Sequence, residues 1–284
     1  MLLVSGIMKE NRKQKKSREE GSGMKGKNWR EYEPPPKPRK SRRRRRKGGL
    51  LRRMKWVILL FAAGYFGFLG YVALTKPYAV ALDAGHGGAD VGAEGILHEV
   101  ELTERTTAEL QALLEEDGRF RIILSRKEGE GATISERNRK FEKRHPDLVL
   151  SIHGNANENS SANGFECYPS PPGYENHEKS LAFAQLLAEE MGEVGAKLRG
   201  TEGVRFGYYD ANGEKLLVDS TDTTAYDYDT FGMLKNMDCP AVLVEQCFIT
   251  NPDDVERFGT EEGCKTAAAA YYRAICRYLE AYPT

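Results

Sequence analysis

The chain has little of what most metal-binding and nucleotide-binding sequences display. Its five cysteines (Cys167, Cys239, Cys247, Cys264 and Cys276) include no CxxC or similar pair, which excludes a cysteine zinc site of ordinary spacing. An odd number cannot pair fully within one chain, and most of the five sit in apolar patterns, so they read as buried free thiols. The glycine-rich turn Asp83-Ala84-Gly85-His86-Gly87-Gly88 lacks the Lys-Ser/Thr of a P-loop and the third glycine of a dinucleotide fingerprint. There are only five histidines. Net charge is also missing, with 42 basic and 42 acidic residues.

That neutrality is the average of two opposite parts. Residues 1–55 hold 21 Lys and Arg against 5 Asp and Glu, a balance of +16, and the remainder carries −16. The basic part also contains Pro34-Pro35-Pro36 and scattered glycines. Such a composition cannot bury a core, so residues 1–55 are expected to be disordered. A basic arm suits nucleic acid or the cytoplasmic flank of a membrane anchor, and the adjoining segment decides between them.

Residues 56–75 (WVILLFAAGYFGFLGYVALT) carry no charge. Twenty helical residues reach about 30 Å, the thickness of a bilayer's hydrocarbon core. Aromatic residues lie near both ends, and Gly64, Gly67 and Gly70 suit a spanning helix better than a soluble one. A signal peptide would need a shorter basic region and a small-residue cleavage site. The expectation is one uncleaved transmembrane helix. The arginines and lysines before it place the N-terminus in the cytoplasm and the rest of the chain outside. The arm is then expected to contact anionic lipid headgroups, and nucleic acid is not its expected partner.

Residues 77–284 suit one domain. Apolar strand-like runs at 78–82, 120–124, 147–152, 165–168 and 241–244 alternate with helical patterns at 99–116, 134–143, 178–194 and 266–281, with a short helix opening at Asn251-Pro252. Ser135 or Thr133 is available to cap the second of these helices. This alternation predicts an α/β fold with a mixed, largely parallel central sheet flanked by helices. Residues 200–232 are less regular, with a hairpin expected around Asn212-Gly213 and Leu216-Leu217-Val218 as one strand.

Ligand sites in such sheets form at the carboxyl ends of the strands. His86 follows the run ending at Leu82, His153 the run ending at Ile152, and Glu245 the run ending at Val244, while Glu99 opens the first helix of the domain. Two imidazoles and a carboxylate leave a fourth position for water, the arrangement of catalytic zinc sites, and a second carboxylate can serve as general base. A carboxylate inside AVLVEQCFI is rarely left without a partner. His98, His145 and His177 lie in polar or charged surroundings and are weaker candidates.

Several segments (VALDAGHGGADVGAEG, LSRKEG, ISERN, DLVLSIHGNAN, GFECY and AVLVEQCFITNPDD) together resemble the zinc-dependent N-acetylmuramoyl-L-alanine amidases of the amidase-3 type. The resemblance spans residues 79–281. It implies that His86, Glu99 and His153 bind Zn2+ and that Glu245 is the catalytic glutamate. It implies a peptidoglycan substrate, cut between the lactyl group of N-acetylmuramic acid and the L-alanine of the stem peptide by zinc-activated water. That substrate lies outside the membrane, where the topology places this domain. Arg126 and Arg137 match positions that are commonly arginine in the family, and their expected role is structural ion pairing. A zinc peptidase or deacetylase on the same metal, and a catalytically silent wall-binding module, are the competing functions.

Overall fold

The computed structural model describes residues 47–74, 78–235 and 237–282. The expected disordered arm therefore falls outside the described residues up to position 46. Within the remainder of that arm the expectation fails, because a 28-residue helix, α1, runs Lys47–Leu74. Arg52, Arg53, Met54 and Lys55 are good helix formers and extend the apolar helix backwards. Trp56, Leu60, Phe61, Phe66 and Phe68 of α1 are exposed. Among the described residues no helix is both long and apolar enough to cross a membrane. The expected span at 56–75 is thus helical, to Leu74, without being established as a span.

The α/β unit runs in the order β1 (Tyr78–Ala84), α2 (Glu99–Asp117), β2 (Phe120–Leu124), α3 (Ile134–Glu142), β3 (Leu148–Asn155), β4 (Glu166–Pro169), α4 (His177–Glu193), β5 (Arg205–Tyr209), β6 (Lys215–Asp219), β7 (Asp229–Thr230), β8 (Ala241–Phe248), α5 (Pro252–Asp254), a π-helical turn (Val255–Gly259) and α6 (Glu261–Ala281). The main sheet has the order β2-β1-β3-β8-β4. Its first three pairings are parallel, and β4 closes the edge antiparallel to β8. This is the mixed, largely parallel sheet that the alternating pattern predicts.

Side chains along a strand alternate between faces, and both faces of this sheet are covered. Val80 and Leu82 of β1, Leu148, Leu150 and Ile152 of β3, and Val242 and Val244 of β8 pack with Leu102, Leu110 and Leu114 of α2, Phe183 of α4, and Ala267 and Tyr271 of α6. The intervening residues Ala79, Ala81, Val149, Ala241 and Leu243 pack with Phe141 of α3, Tyr168, Phe231 and Met233. Burial on both faces explains why these strands read as continuous apolar runs.

Two strands run further than expected. Strand β3 continues to Asn155 and β8 to Phe248, so His153 and Glu245 lie within the strands rather than after them. His153 pairs with Glu245 in register, and a register irregularity follows between His153 and Asn155 before Asn155 pairs with Phe248. Helix α3 begins with Thr133 and Glu136 forming a reciprocal capping box. Within 200–232 the expected hairpin is present. Strands β5 and β6 pair antiparallel, Tyr209 opposite Lys215, around a turn in which Asp210 accepts from the backbone of Asn212 and Glu214. With β7 they form a separate three-stranded sheet.

Candidate metal centre

The alternation that buries the strands also gathers the polar side chains. Asp83 of β1 is in register with Ser151 of β3, His153 of β3 with Glu245 of β8, and Glu245 with Glu166 of β4. All five lie on the face shared with Ala81, Val149 and Leu243, near the carboxyl ends of the parallel strands.

His86 reaches the same place from the loop after β1. Its backbone is left-handed, with φ 61°, a conformation that costs a non-glycine residue roughly 1–2 kcal/mol. Two buried arginines hold the loop against that cost. Arg137 donates to Asp83 Oδ1 at 2.7 Å, to the Ala84 carbonyl at 2.6 Å and to the His86 carbonyl. Arg126 donates to the carbonyls of Ala84 and Gly85, both at 3.0 Å, and pairs with Glu104 at 2.5 Å. Their roles are structural, as expected from the sequence, but most of their bonds go to backbone.

Glu99, the first residue of α2, is 5% exposed and sits between the two histidines. Its Oε2 lies 3.0 Å from His86 Nε2 and its Oε1 lies 2.8 Å from His153 Nδ1. The backbone amides of Ala93 and Gly154 also donate to it. Glu101, two residues on, instead pairs with Arg105 on the surface. One ligand atom from each of His86, Glu99 and His153 falls within 4.8 Å of the others. The surrounding space is held open by glycine. A Cβ on Gly85 would come within 2.4 Å of the His153 ring, and one on Gly92 within 2.6 Å of the His86 ring and 2.7 Å of Glu99 Oε2. Two imidazoles and a carboxylate converging around a small space fit the donor set of a catalytic zinc site.

The charges are set by this geometry. Burial alone pushes Glu99 upward, but hydrogen bonds from His153 and His86 and the charge of His153 hold it well below the usual carboxylate range. His86 is raised to about 9, chiefly by its hydrogen bond to Glu99 against the opposing effect of burial, with Asp90 adding to the rise. Burial pulls His153 down, yet Glu99, Glu245 and Asp83 together raise it. Glu245 is pushed up to about 7 by burial, with His153 the main opposing charge. Its Oε2 is buried without a hydrogen-bond partner among the described residues.

The structure thus brings His86, Glu99, His153 and Glu245 together. It keeps the other histidines apart from the cluster: His98 precedes α2 without capping it, His145 occupies a positive-φ turn, and His177 Nδ1 pairs with the Ser170 carbonyl at 2.9 Å. Sequence reasoning misses Asp90, whose Oδ2 lies 3.0 Å from His86 Nδ1 and fixes that ring as carboxylates beside metal-bound histidines do. Its spacing of four residues from His86 inside a glycine-rich loop is the available signal. Also missed are the walls of the cleft, of about 360 Å³, which opens over the cluster between Thr133, Ile134, Tyr209, Phe231, Gly232 and Met233. All five cysteines are free thiols, four of them buried.

Fold and site together define an α/β domain with a two-histidine, one-carboxylate cluster whose ligand atoms are close enough to hold one metal ion. The sequence profile described as N-acetylmuramoyl-L-alanine amidase matches residues 80–277, and the chain belongs to that family. It is 31% identical over 204 residues to the N-acetylmuramoyl-L-alanine amidase LytC of Bacillus subtilis, covering 70% of this chain and 35% of that protein. It is 25% identical over 230 residues to the amidase AmiC of Escherichia coli, covering 74% of this chain and 55% of that protein. The chain spans about half the length of such curated relatives. Among solved structures, the amidase AmiC2 of Nostoc punctiforme superimposes with a TM-score of 0.57 at 25% identity, covering 72% of this chain and 98% of that one.

Proposed function

We propose that the chain is a zinc-dependent amidase that hydrolyses the amide between the lactyl group of N-acetylmuramic acid and the L-alanine of the peptidoglycan stem peptide. The observation that carries this reading is the unpartnered, buried Oε2 of Glu245 beside the converged His86, Glu99 and His153. When held by those three residues, zinc would polarise the scissile carbonyl and lower the pKa of a water to about 7. Glu245 takes the proton of the attacking water as the bond to the lactyl carbon forms. It delivers that proton to the alanine nitrogen as the amide breaks. Asp90 holds the His86 ring, and the Arg126 and Arg137 bonds hold the loop that carries it.

The test is digestion of purified muropeptides by the full chain, with metal content measured on the same sample. A new amino end on L-alanine and a new lactyl carboxylate are expected, lost on chelation and restored by zinc. Cleavage at a peptide bond, or release of acetate, would replace the amidase reading with a peptidase or a deacetylase.

The same reading places the domain outside a membrane. The exposed apolar side chains of α1, preceded by the polybasic stretch, support a single span with the N-terminus in the cytoplasm and the arm against anionic lipids. Whole-cell protease accessibility of the C-terminal part, with the full chain in the membrane fraction, is the expected result. Recovery of the intact chain in the soluble fraction would count against it.

A further inference from the structure

The cleft has a wall that the fold alone does not require. The hairpin β5–β6 places the register pair Tyr209 and Lys215 beside it, Tyr209 as a lining residue. The Lys215 ammonium lies over two aromatic faces, 4.9 Å from the centroid of Phe231 and 5.3 Å from that of Tyr168. Phe231 also lines the cleft. Lys215 is itself exposed.

The other cations near the site are already committed. Arg137 is bound to Asp83 and to the carbonyls of Ala84, His86 and Ala132. Arg126 is bound to Glu104 and three carbonyls. Arg199 and Arg205 both pair with the buried Glu166, and Lys235 pairs with Asp229. Among the described residues no carboxylate pairs with Lys215. It is an exposed ammonium over a ring that lines the cleft, in a part of the chain whose balance is −16. Ring faces attract a cation but satisfy none of its three N–H donors as an oxygen does. The net charge of this part is negative, so on balance it repels an anionic substrate.

Resting on the amidase reading, we propose that Lys215 is a specificity-determining residue that binds a carboxylate on the peptide side of the substrate. The hairpin serves as an arm that carries this single charge to the cleft. Tyr209, beside it, supplies an apolar wall for the chain between the scissile amide and that carboxylate.

The test compares two synthetic substrates with the full chain, both with the γ-carboxyl of the D-glutamate blocked as its methylamide: N-acetylmuramoyl-L-alanyl-D-glutamate with a free α-carboxylate, and the same compound with that α group as a carboxamide. Lys215→Met keeps the length and apolar stem but removes the charge, and Lys215→Arg keeps the charge. Wild type is expected to show the lower KM on the acid. K215M is expected to raise KM for the acid about fivefold, the upper end for an ion pair with an exposed member, with kcat and the carboxamide reaction little changed. K215R should restore the preference. The acid preference should also shrink with added salt. Equal effects on acid and carboxamide would assign Lys215 to shaping the hairpin and overturn the inference, as would no effect on either. Wild type cleaving neither compound would overturn the amidase reading and this inference with it.

Discussion

Replacing Glu245 by glutamine is expected to make the protein more stable and nearly inactive at once. Burial raises this carboxyl from 4.5 to about 7, so the folded state holds its proton more tightly than the unfolded state does. Between about pH 4.5 and 7 the folded protein therefore binds more protons, and its stability falls as pH rises through that window. At 1.36 kcal/mol per unit, the 2.5-unit rise amounts to at most about 3 kcal/mol lost by pH 7.5. Glutamine fills the same space without a charge and escapes that loss. In the chelated protein E245Q should then melt about 5–10 °C higher than wild type at pH 7.5, by the usual conversion for a domain of this size, and within a degree or two of it at pH 4. Added zinc should narrow the gap, since a dication nearby favours the carboxylate. Muropeptide hydrolysis should drop roughly 10²- to 10⁴-fold, the range for a lost general base, while zinc is still bound. The assay is a thermal melt across pH, with and without chelator, run beside the turnover measurement. A variant that melts lower than wild type at pH 7.5, or that keeps its lytic activity, would refute the reasoning.

The same geometry sets other outcomes. Asp90→Ala frees the His86 ring and should weaken zinc affinity about 10- to 100-fold, the usual cost of losing such a partner, read by competition with a chromophoric chelator. Gly92→Ala puts a methyl 2.6 Å from the His86 ring at a backbone φ of +71°, so metal uptake should fail or weaken strongly while far-ultraviolet circular dichroism stays near wild type. His86, raised to about 9 by Glu99, is protonated at pH 7 without metal. Because zinc needs the neutral ring, titration calorimetry in buffers of different ionisation heat should show proton release at pH 7 that fades toward pH 10. The chelated protein should also lose stability as pH rises from 6.5 through 9, because the raised imidazole contributes only while protonated.

The parts of the fold legible in the sequence are those where one local rule decides the outcome. Thr133 and Glu136 announce the start of α3, Asn212-Gly213 announces the hairpin, and the doubly covered strands show as apolar runs. The meeting of His86, Glu99, His153 and Glu245 is legible because three of them follow the apolar core of such a run and Glu99 opens the helix after the first. What stays hidden depends on long-range placement. Nothing local says that β3 and β8 pair past their apolar cores, that Arg126 and Arg137 spend their donors on loop carbonyls, or that the β5–β6 hairpin returns Tyr209 and Lys215 to the cleft. The start of α1 is misjudged from composition because a basic stretch with poor burial reads as disordered, although its residues propagate a helix well once the apolar segment nucleates it.

The strand order has a consequence for how the enzyme comes into being. Strand β8 is the last to be synthesised yet sits inside the sheet, between β3 and β4. Until it inserts, β4 has no neighbour in that sheet, and Glu245 is absent from the side of His153. The pairing that completes the centre joins residues 153 and 245, so it forms late and slowly, as pairings of large sequence separation do. A chain truncated or still emerging before residue 241 holds the three ligand side chains without the base. On the proposed mechanism such fragments lack the general base, so muropeptide hydrolysis is expected only once the whole sheet has closed.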